Sequence, residues 1–449
     1  MRSILNRIRY FAAAALAAAA LFSAPAEAGA QETLANSGYS PYSLYGFGDI
    51  ARQGTAYNFS MGGIGIGDRN IRYINVLNPA AVTARDPKSF MMDFGLENRN
   101  IIFQGNAATS LGSSAAGKMT SAANTFNMHN VVASFPIASH SAFKLGIMPY
   151  SSVAYSFRAY EKDENLLSDL GDIQYLKTGQ GGVYQAFFGA GVTLWDCLSL
   201  GADLNYYFGN IMRKSEAYFT TNSSYRTISS GWDYNISSFG GKFGLQFSQR
   251  LGRTTFATIG ATYSLNSELK GGETRYAYGV TSVTDTVVNN NFKMSGYRIP
   301  SEIGVGISVR GADSWMVGFD YTTQDWTGMT FEGNPGVDLQ CGRSQNFRAG
   351  FEFTPNRYDI RYFLKRWTYR AGLYHEQSHM VLNGSPVAAT GFTLGFGIPA
   401  SRYYHHSINF GVDIGQRGSL NSDLIRERYF IFTISFNLHD IWFIKPMYN

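Results

Sequence analysis

The sequence predicts an all-β protein: a transmembrane antiparallel β-barrel of roughly fourteen strands, with an N-terminal segment held in its lumen. Three observations carry that prediction. Several stretches alternate apolar and small polar residues with period two, and the connections between them alternate long and short. After the N-terminal leader, no run approaches the ~18 uninterrupted apolar residues of a membrane helix. Composition agrees with this class. Of 449 residues, 15% are aromatic and only 15% charged, with 29 Tyr, 33 Phe and 49 Gly against 12 Pro. Mean hydropathy is slightly negative, at −0.15. A helical membrane protein is excluded, and a soluble β-sandwich has to be set aside on other grounds.

The leader comes first. Arg2, Arg7 and Arg9 precede a short, alanine-rich apolar stretch from Phe11 to Phe22, followed by small residues through Ala30. That order is a secretory signal peptide over residues 1–30, too short to span a bilayer as a helix, with cleavage expected after Ala30. No Cys follows the apolar stretch, so no lipid anchor is expected on Gln31. Removal takes away three Arg and one Glu, so the formal charge falls from +5 to +3. A value so near neutral gives no reason to expect a nucleic-acid partner.

The strands follow. Phe90, Met92, Phe94 and Leu96 interleave with Ser89, Asp93, Gly95 and Glu97. Leu198, Leu200, Ala202, Leu204, Tyr206 and Phe208 interleave with Ser199, Gly201, Asp203 and Asn205. The same alternation marks Trp315–Tyr321, Ile408–Ile414 and Phe430–Phe436. The second face carries Gly, Ser, Thr, Asn and single Asp residues, which suits a crowded, hydrated lumen, while the aromatic-rich face suits lipid.

Topology separates a barrel from a sandwich. After odd-numbered strands the connections are long and polar, near 105–123, 159–181, 219–226, 271–290, 325–342, 376–387 and 418–426. After even-numbered strands they are tight, near 136–141, 195–197, 249–253, 310–313 and 399–404, with a longer one at 355–365. Long loops outside and short turns inside is the pattern of a Gram-negative outer-membrane barrel, and closure removes the exposed edges of an open sheet.

Residues 31–87 do not alternate. They are rich in Gly and Tyr, include Met61-Gly62-Gly63-Ile64-Gly65-Ile66-Gly67, and end in Asn78-Pro79-Ala80-Ala81. At Asn78-Pro79-Ala80 the chain resembles the FadL family of outer-membrane transporters for hydrophobic compounds, where this motif belongs to a hatch. The opening Ser40-Pro41-Tyr42-Ser43-Leu44-Tyr45-Gly46 and the ending Trp442-Phe443-Ile444-Lys445 resemble the Bacteroidetes branch of that family. The resemblance spans the mature chain. It implies a hatch over residues 31–87 and a fourteen-stranded barrel over 88–449.

In the third strand, Lys144-Leu145-Gly146-Ile147-Met148-Pro149-Tyr150 places a proline inside an alternating run. Proline cannot donate to the ladder, so a strand paired on both sides must bulge or break there, and Gly146 eases a kink. In the FadL family a kink in the third strand opens a side window, and the resemblance assigns Gly146 and Pro149 to it. The plainer alternative is that Pro149 ends the strand on the periplasmic side.

Other motifs carry no chemistry. His375-Glu376-Gln377-Ser378-His379 spells H-E-x-x-H, but a zinc site of that kind needs a helix. The preceding residues read as a strand entering an external loop, and in an extended chain the two His stand roughly 13 Å apart. His405-His406 points its two rings opposite ways in a strand. The Gly62–Gly67 run lacks nucleotide-binding spacing. Cys197 and Cys341 are read as two unpaired small residues. No metal, cofactor or enzymatic activity is expected.

The resemblance implies passive uptake of hydrophobic small molecules, fatty acid-like or aromatic, through a plugged barrel with a side opening. It also admits a role of another kind, because Bacteroidetes members resembling FadL include the shuttle protein of the type IX secretion system. On that alternative the barrel does not transport and instead partners secretion-system proteins. Outer-membrane lipid is the expected surrounding, and a monomer the expected state.

Overall fold

The computed structural model describes residues 40–86, 88–106, 118–161, 163–221, 225–280, 285–294, 296–311, 314–329, 338–400, 405–420 and 424–441. The expected signal peptide over residues 1–30 and the Trp442–Lys445 motif lie outside these residues.

The chain forms a closed 14-strand antiparallel barrel. In order, the first spans are β1 (Ser89–Asn106), β2 (Lys118–Ala138), β3 (Ser141–Tyr160), β4 (Ile173–Leu194), β5 (Leu198–Phe219) and β6 (Thr227–Arg250). Spans β7 (Thr255–Ser264, then Gly271–Val280) and β8 (Asp285–Lys293, then Glu302–Gly311) are each interrupted, and Ser267–Glu268 pairs with Arg298–Ile299 at the interruption. Next come β9 (Trp315–Asp325) and β10 (Leu339–Cys341, then Arg343–Phe353). The last four are β11 (Thr368–Leu382), β12 (Ser385–Pro399), β13 (Ser407–Arg417) and β14 (Arg426–Ile441). Closure is direct: β1 pairs with β14 from Ser89↔Ile441 to Gln104↔Arg426.

Burial is inverted relative to a water-soluble protein. On β8 and β9, Ile303 and Phe319 are 53% and 45% exposed, whereas Asp320 is 2% exposed. The same holds around the wall, with Leu373 exposed and Glu352, Arg370, Asn409 and Asn437 buried. An outward apolar face and an inward polar one is the arrangement that lipid outside and a filled lumen inside require. No helix among the described residues is long and apolar enough to cross a membrane.

Two long connections differ from the sequence expectation. The stretch 271–290 is mostly strand, because Gly271–Val280 and Asp285–Lys293 pair with each other and extend the hairpin past the wall. The stretch 376–387 is a hairpin closed by Asn383-Gly384, with φ of 49° and 75°. Two consecutive positive-φ residues are the type I′ geometry that Asn-Gly favours, and this matches the twist of the flanking strands. The 159–181 connection contains a short helix, Glu164–Leu170, N-capped by the Asp163 side chain.

One seam is incomplete. The β2–β3 ladder runs only from Ala138↔Ser141 to Val131↔Ile147, although both strands continue well beyond it. Further along, β3 keeps its β4 partner but pairs on its other edge with Asp49–Ile50 of the N-terminal segment. Ala51 N–H donates to the Tyr150 carbonyl at 2.8 Å and Ser40 N–H to that of Ala154 at 3.1 Å. The edge of β3 is thus satisfied by the N-terminal segment where β2 leaves it.

Candidate functional site

Residues 40–86 lie against the inner wall, and the wall is built to receive them. Asn78 caps a 3₁₀ turn, Pro79–Thr83: its Oδ1 accepts from Ala80 N–H, and its Nδ2 donates to the carbonyls of Ile66 and Leu245. Proline at the first position of that turn has no N–H to leave unsatisfied. Asn78, Pro79 and Ala80 are buried against glycines of β5 and β6, where a methyl on Gly201 or Gly244 would overlap the Asn78–Ala80 backbone or the Asn78 side chain.

The pattern continues round the barrel. Gly260 faces the Ile66 carbonyl, Gly306 the backbone of Gly67, Gly350 the Met61 carbonyl, and Gly372 the backbone of Met61–Gly62. Many of these glycines are cross-strand partners: Gly201↔Gly244, Gly260↔Gly306, Gly318↔Gly350 and Gly350↔Gly372. Together they form one belt where two backbones approach more closely than any side chain permits.

Polar contacts complete the docking. Asp320 accepts the N–H groups of Gly65 and Ile66 at 2.6 and 2.8 Å. Gln246 donates to the Ile66 carbonyl at 2.9 Å. Among the described residues, arginine–carboxylate bridges join segment and wall at Arg52, Asp68 and Asp49. Arg52 pairs with Glu376 and Asp413, each at 3.0 Å. Asp68 pairs with Arg310 at 2.8 Å, which also holds Glu352 at 2.9 Å. Asp49 pairs with Arg417 at 2.6 Å, which also holds Glu427 at 2.6 Å. Such groups, shielded from bulk water, are tolerated only because each finds an opposite charge.

Gly146 sits at the last rungs of the β2–β3 ladder, where an added methyl would lie 2.7 Å from the Val131 carbonyl oxygen. Pro149 follows directly, at a register shift between Pro149 and Ser151 on the β4 side. The sequence expectation of an irregularity at Gly146 and Pro149 falls on this same span. It missed that the vacated edge is taken by Asp49–Ile50.

Behind this break is a lumen cavity of about 240 Å³. Met148 and Tyr150 of β3 line it, with Phe187, Tyr207, Ile299 and Trp326; Arg52, Lys242, Glu302, Arg348 and Glu376 contribute charged walls. Tyr150, Tyr207, Ile299 and Trp326 belong to a larger buried cluster that includes Phe47, Val153, Tyr155 and Ile236, whereas Met148 and Phe187 pack in a second one with Val76 and Val132.

The H-E-x-x-H residues lie within β11 itself and not in an external loop. Glu376 is held between Arg52 and Arg348, His375 bonds Thr390 Oγ1, and the buried His379 ring stacks on Trp326 at 4.3 Å. Among the described residues, no group of three or more His, Cys, Asp or Glu is placed to hold a metal. Cys197 and Cys341 are free.

A family model described as BamG matches residues 14–449. The chain belongs to the BamG family. No curated protein is similar in sequence to this BamG-family chain. Solved structures share its fold. The Pseudomonas putida toluene transporter TodX is 14% identical with TM-score 0.55, over 88% of this chain and 100% of that one. The Ralstonia pickettii toluene transporter TbuX is 15% identical with TM-score 0.54, over 86% and 98%. The CymD monoaromatic hydrocarbon channel is 14% identical with TM-score 0.54, over 86% and 97%. The FadL resemblance read from the sequence thus agrees with the fold of this BamG-family barrel.

Proposed function

We propose that this BamG-family barrel takes up small hydrophobic molecules across the outer membrane, with residues 40–86 as the hatch and the β2–β3 break as a side opening. The observation that carries the reading is the conjunction at β3: the ladder to β2 ends at Ile147, Pro149 follows, and Met148 and Tyr150 line the lumen cavity behind. The cavity size favours a compact cargo. An apolar cavity of about 150 Å³ holds benzene, so about 240 Å³ fits a substituted ring better than an extended long-chain acid. The toluene and monoaromatic channels of the same fold support that preference. On this reading Asn78, Pro79 and Ala80 form the hatch floor, Gly146 and Pro149 the hinge of the opening, and the long loops face the cell exterior.

Pro149→Thr restores a ladder donor to β3 and is expected to reduce uptake of a radiolabelled monoaromatic compound into proteoliposomes severalfold at equal insertion. Unchanged uptake would remove the side opening from the mechanism.

A second reading rests on the charged bridges at Arg52, Asp68 and Asp49, which hold the N-terminal segment against the wall and favour a barrel that does not transport. On it, the chain partners other envelope proteins, as in a secretion system of type IX kind. Stable co-purification of such proteins, combined with no tracer uptake by wild type, would favour it.

A further inference from the structure

The connection from β10 to β11, residues 354–367, is the longest at the short-turn end, and it is folded rather than slack. Asp359 accepts the N–H groups of Arg361 and Tyr362, Asn356 N–H donates to the Lys365 carbonyl at 2.8 Å, and Phe363–Arg366 forms a 3₁₀ turn. These bonds, formed preferentially to the ionised group, hold the Asp359 carboxyl below the ordinary carboxylate range. The folded turn nevertheless exposes apolar side chains: Ile360 is 84% exposed, Tyr358 72%, Tyr362 59% and Leu364 59%. That is an unusual density of exposed apolar surface for a segment facing only water.

Its placement says what covers it. Tyr369 points outward from β11, and its hydroxyl donates to the Leu364 carbonyl at 3.1 Å. Phe363 packs edge-on against Trp367, which stacks on Phe396 and, through it, on Phe410. The turn is therefore fastened to the outer aromatic band of the wall, the level at which barrels meet lipid headgroups. Basic groups are interleaved with the apolar ones: Arg357, Arg361, Lys365 and Arg366 against the single Asp359. Beside the turn is a cavity of about 160 Å³ lined by Arg72, Arg357, Arg366, His405 and His406 together with Asp359.

We propose that this turn is an interfacial anchor for an anionic phospholipid of the leaflet at the short-turn end, with the phosphate in the basic cavity and the acyl chains along Tyr358, Ile360 and Leu364. Interleaved aromatic and basic residues at this depth are the composition that binds such lipids. The proposal rests on the membrane-spanning reading of the barrel and not on transport.

The test uses the full mature chain purified in detergent. Bound lipid is counted by native mass spectrometry after exposure to equimolar phosphatidylglycerol and phosphatidylethanolamine, and thermal midpoints are measured alongside. Wild type is expected to retain phosphatidylglycerol selectively. Arg361→Gln and Lys365→Gln, both at exposed positions, are each expected to lower that selectivity about fivefold. Arg357→Gln/Arg366→Gln and Ile360→Ser/Leu364→Ser are expected to abolish it. Equal retention by all variants overturns the proposal. So does inorganic phosphate that stabilises as strongly as the lipid, which would mark a free-anion site, or an envelope protein whose binding requires Ile360 and excludes phosphatidylglycerol. Should the cavity variant fail to fold, the two exposed variants and the phosphate competition on wild type still decide. A chain that folds and stays soluble without detergent would instead remove the membrane reading itself.

Discussion

Asp320 shows how one side chain fixes the position of a glycine-rich run. Its carboxylate on β9 takes two consecutive N–H groups, from Gly65 and Ile66, that have no strand to pair with. Asp320→Ala orphans both donors in a buried place, at about 1–3 kcal/mol each. The thermal midpoint of the solubilised chain is expected to fall clearly, and less for Asp320→Asn, which keeps one acceptor. Asp86, beyond the Pro79–Thr83 turn, is a second such point. The His405 side chain at 3.3 Å holds its carboxyl below the usual value. A carboxyl depressed in the folded state stabilises above its unfolded pKa and loses that contribution as pH falls through the folded one. The stability gap between wild type and Asp86→Asn is therefore expected at neutral pH and should close in strong acid, as melting curves across pH would show. At this scale the sequence was only partly legible. The strand before His375 was readable and set aside the helical H-E-x-x-H arrangement, but the partners of Glu376 come from positions 52 and 348, and no local pattern connects them.

At the scale of elements, β3 and the N-terminal strand belong together. Ile50 and Ser151 face each other across the short ladder that replaces β2. Cysteines placed at those two positions, in a chain with Cys197 and Cys341 changed to Ser, have the Cα separation a disulfide tolerates. If uptake needs this strand to detach, oxidation is expected to stop tracer entry and reductant to restore it; equal uptake in both states would show that the strand stays in place during passage. Pro149 was legible because proline carries its backbone constraint in its identity. The replacement of β2 by Asp49–Ile50 was not, since two residues give no periodicity to read. The wall glycines were visible but misread. Gly201, Gly244, Gly260, Gly306 and Gly350 sit on the inward parity of alternating strands, and small inward residues were taken to mean a crowded, hydrated lumen. They mean close contact. Gly372→Ala is expected to push Met61–Gly62 off the wall, which limited proteolysis would detect as new cleavage within residues 40–86.

For the molecule as a whole, alternation and loop lengths sufficed to give a closed barrel, because lipid on one face is a constraint every span repeats. The two connections misjudged, 271–290 and 376–387, are hairpins; in the second, Met380, Leu382 and Val387 are buried against Tyr42, Tyr45 and Leu424, contacts distant in sequence that no local pattern announces. The charged lumen was hidden for a related reason. Arg310, Glu352, Arg370, Glu376 and Arg417 each occupy a single inward position, and only closure of the barrel makes them neighbours. Deleting residues 40–86 removes one partner from each of the bridges at Arg52, Asp68 and Asp49 and clears the central floor. Planar-bilayer recordings are expected to show stepwise conductance for the deletion and little for the intact chain, with a lowered thermal midpoint for the former. A deletion that conducts no better than wild type would mean the lumen is blocked elsewhere.

The glycine belt also constrains the order of biogenesis. Spans on both sides of the final seam, where β1 meets β14, grip a segment emerging from the N-terminal side of β1. Clearances this small leave no passage for threading forty-odd residues into a finished cylinder. The wall must instead close around residues 40–86, with the β1–β14 pairing completed once that segment is in place.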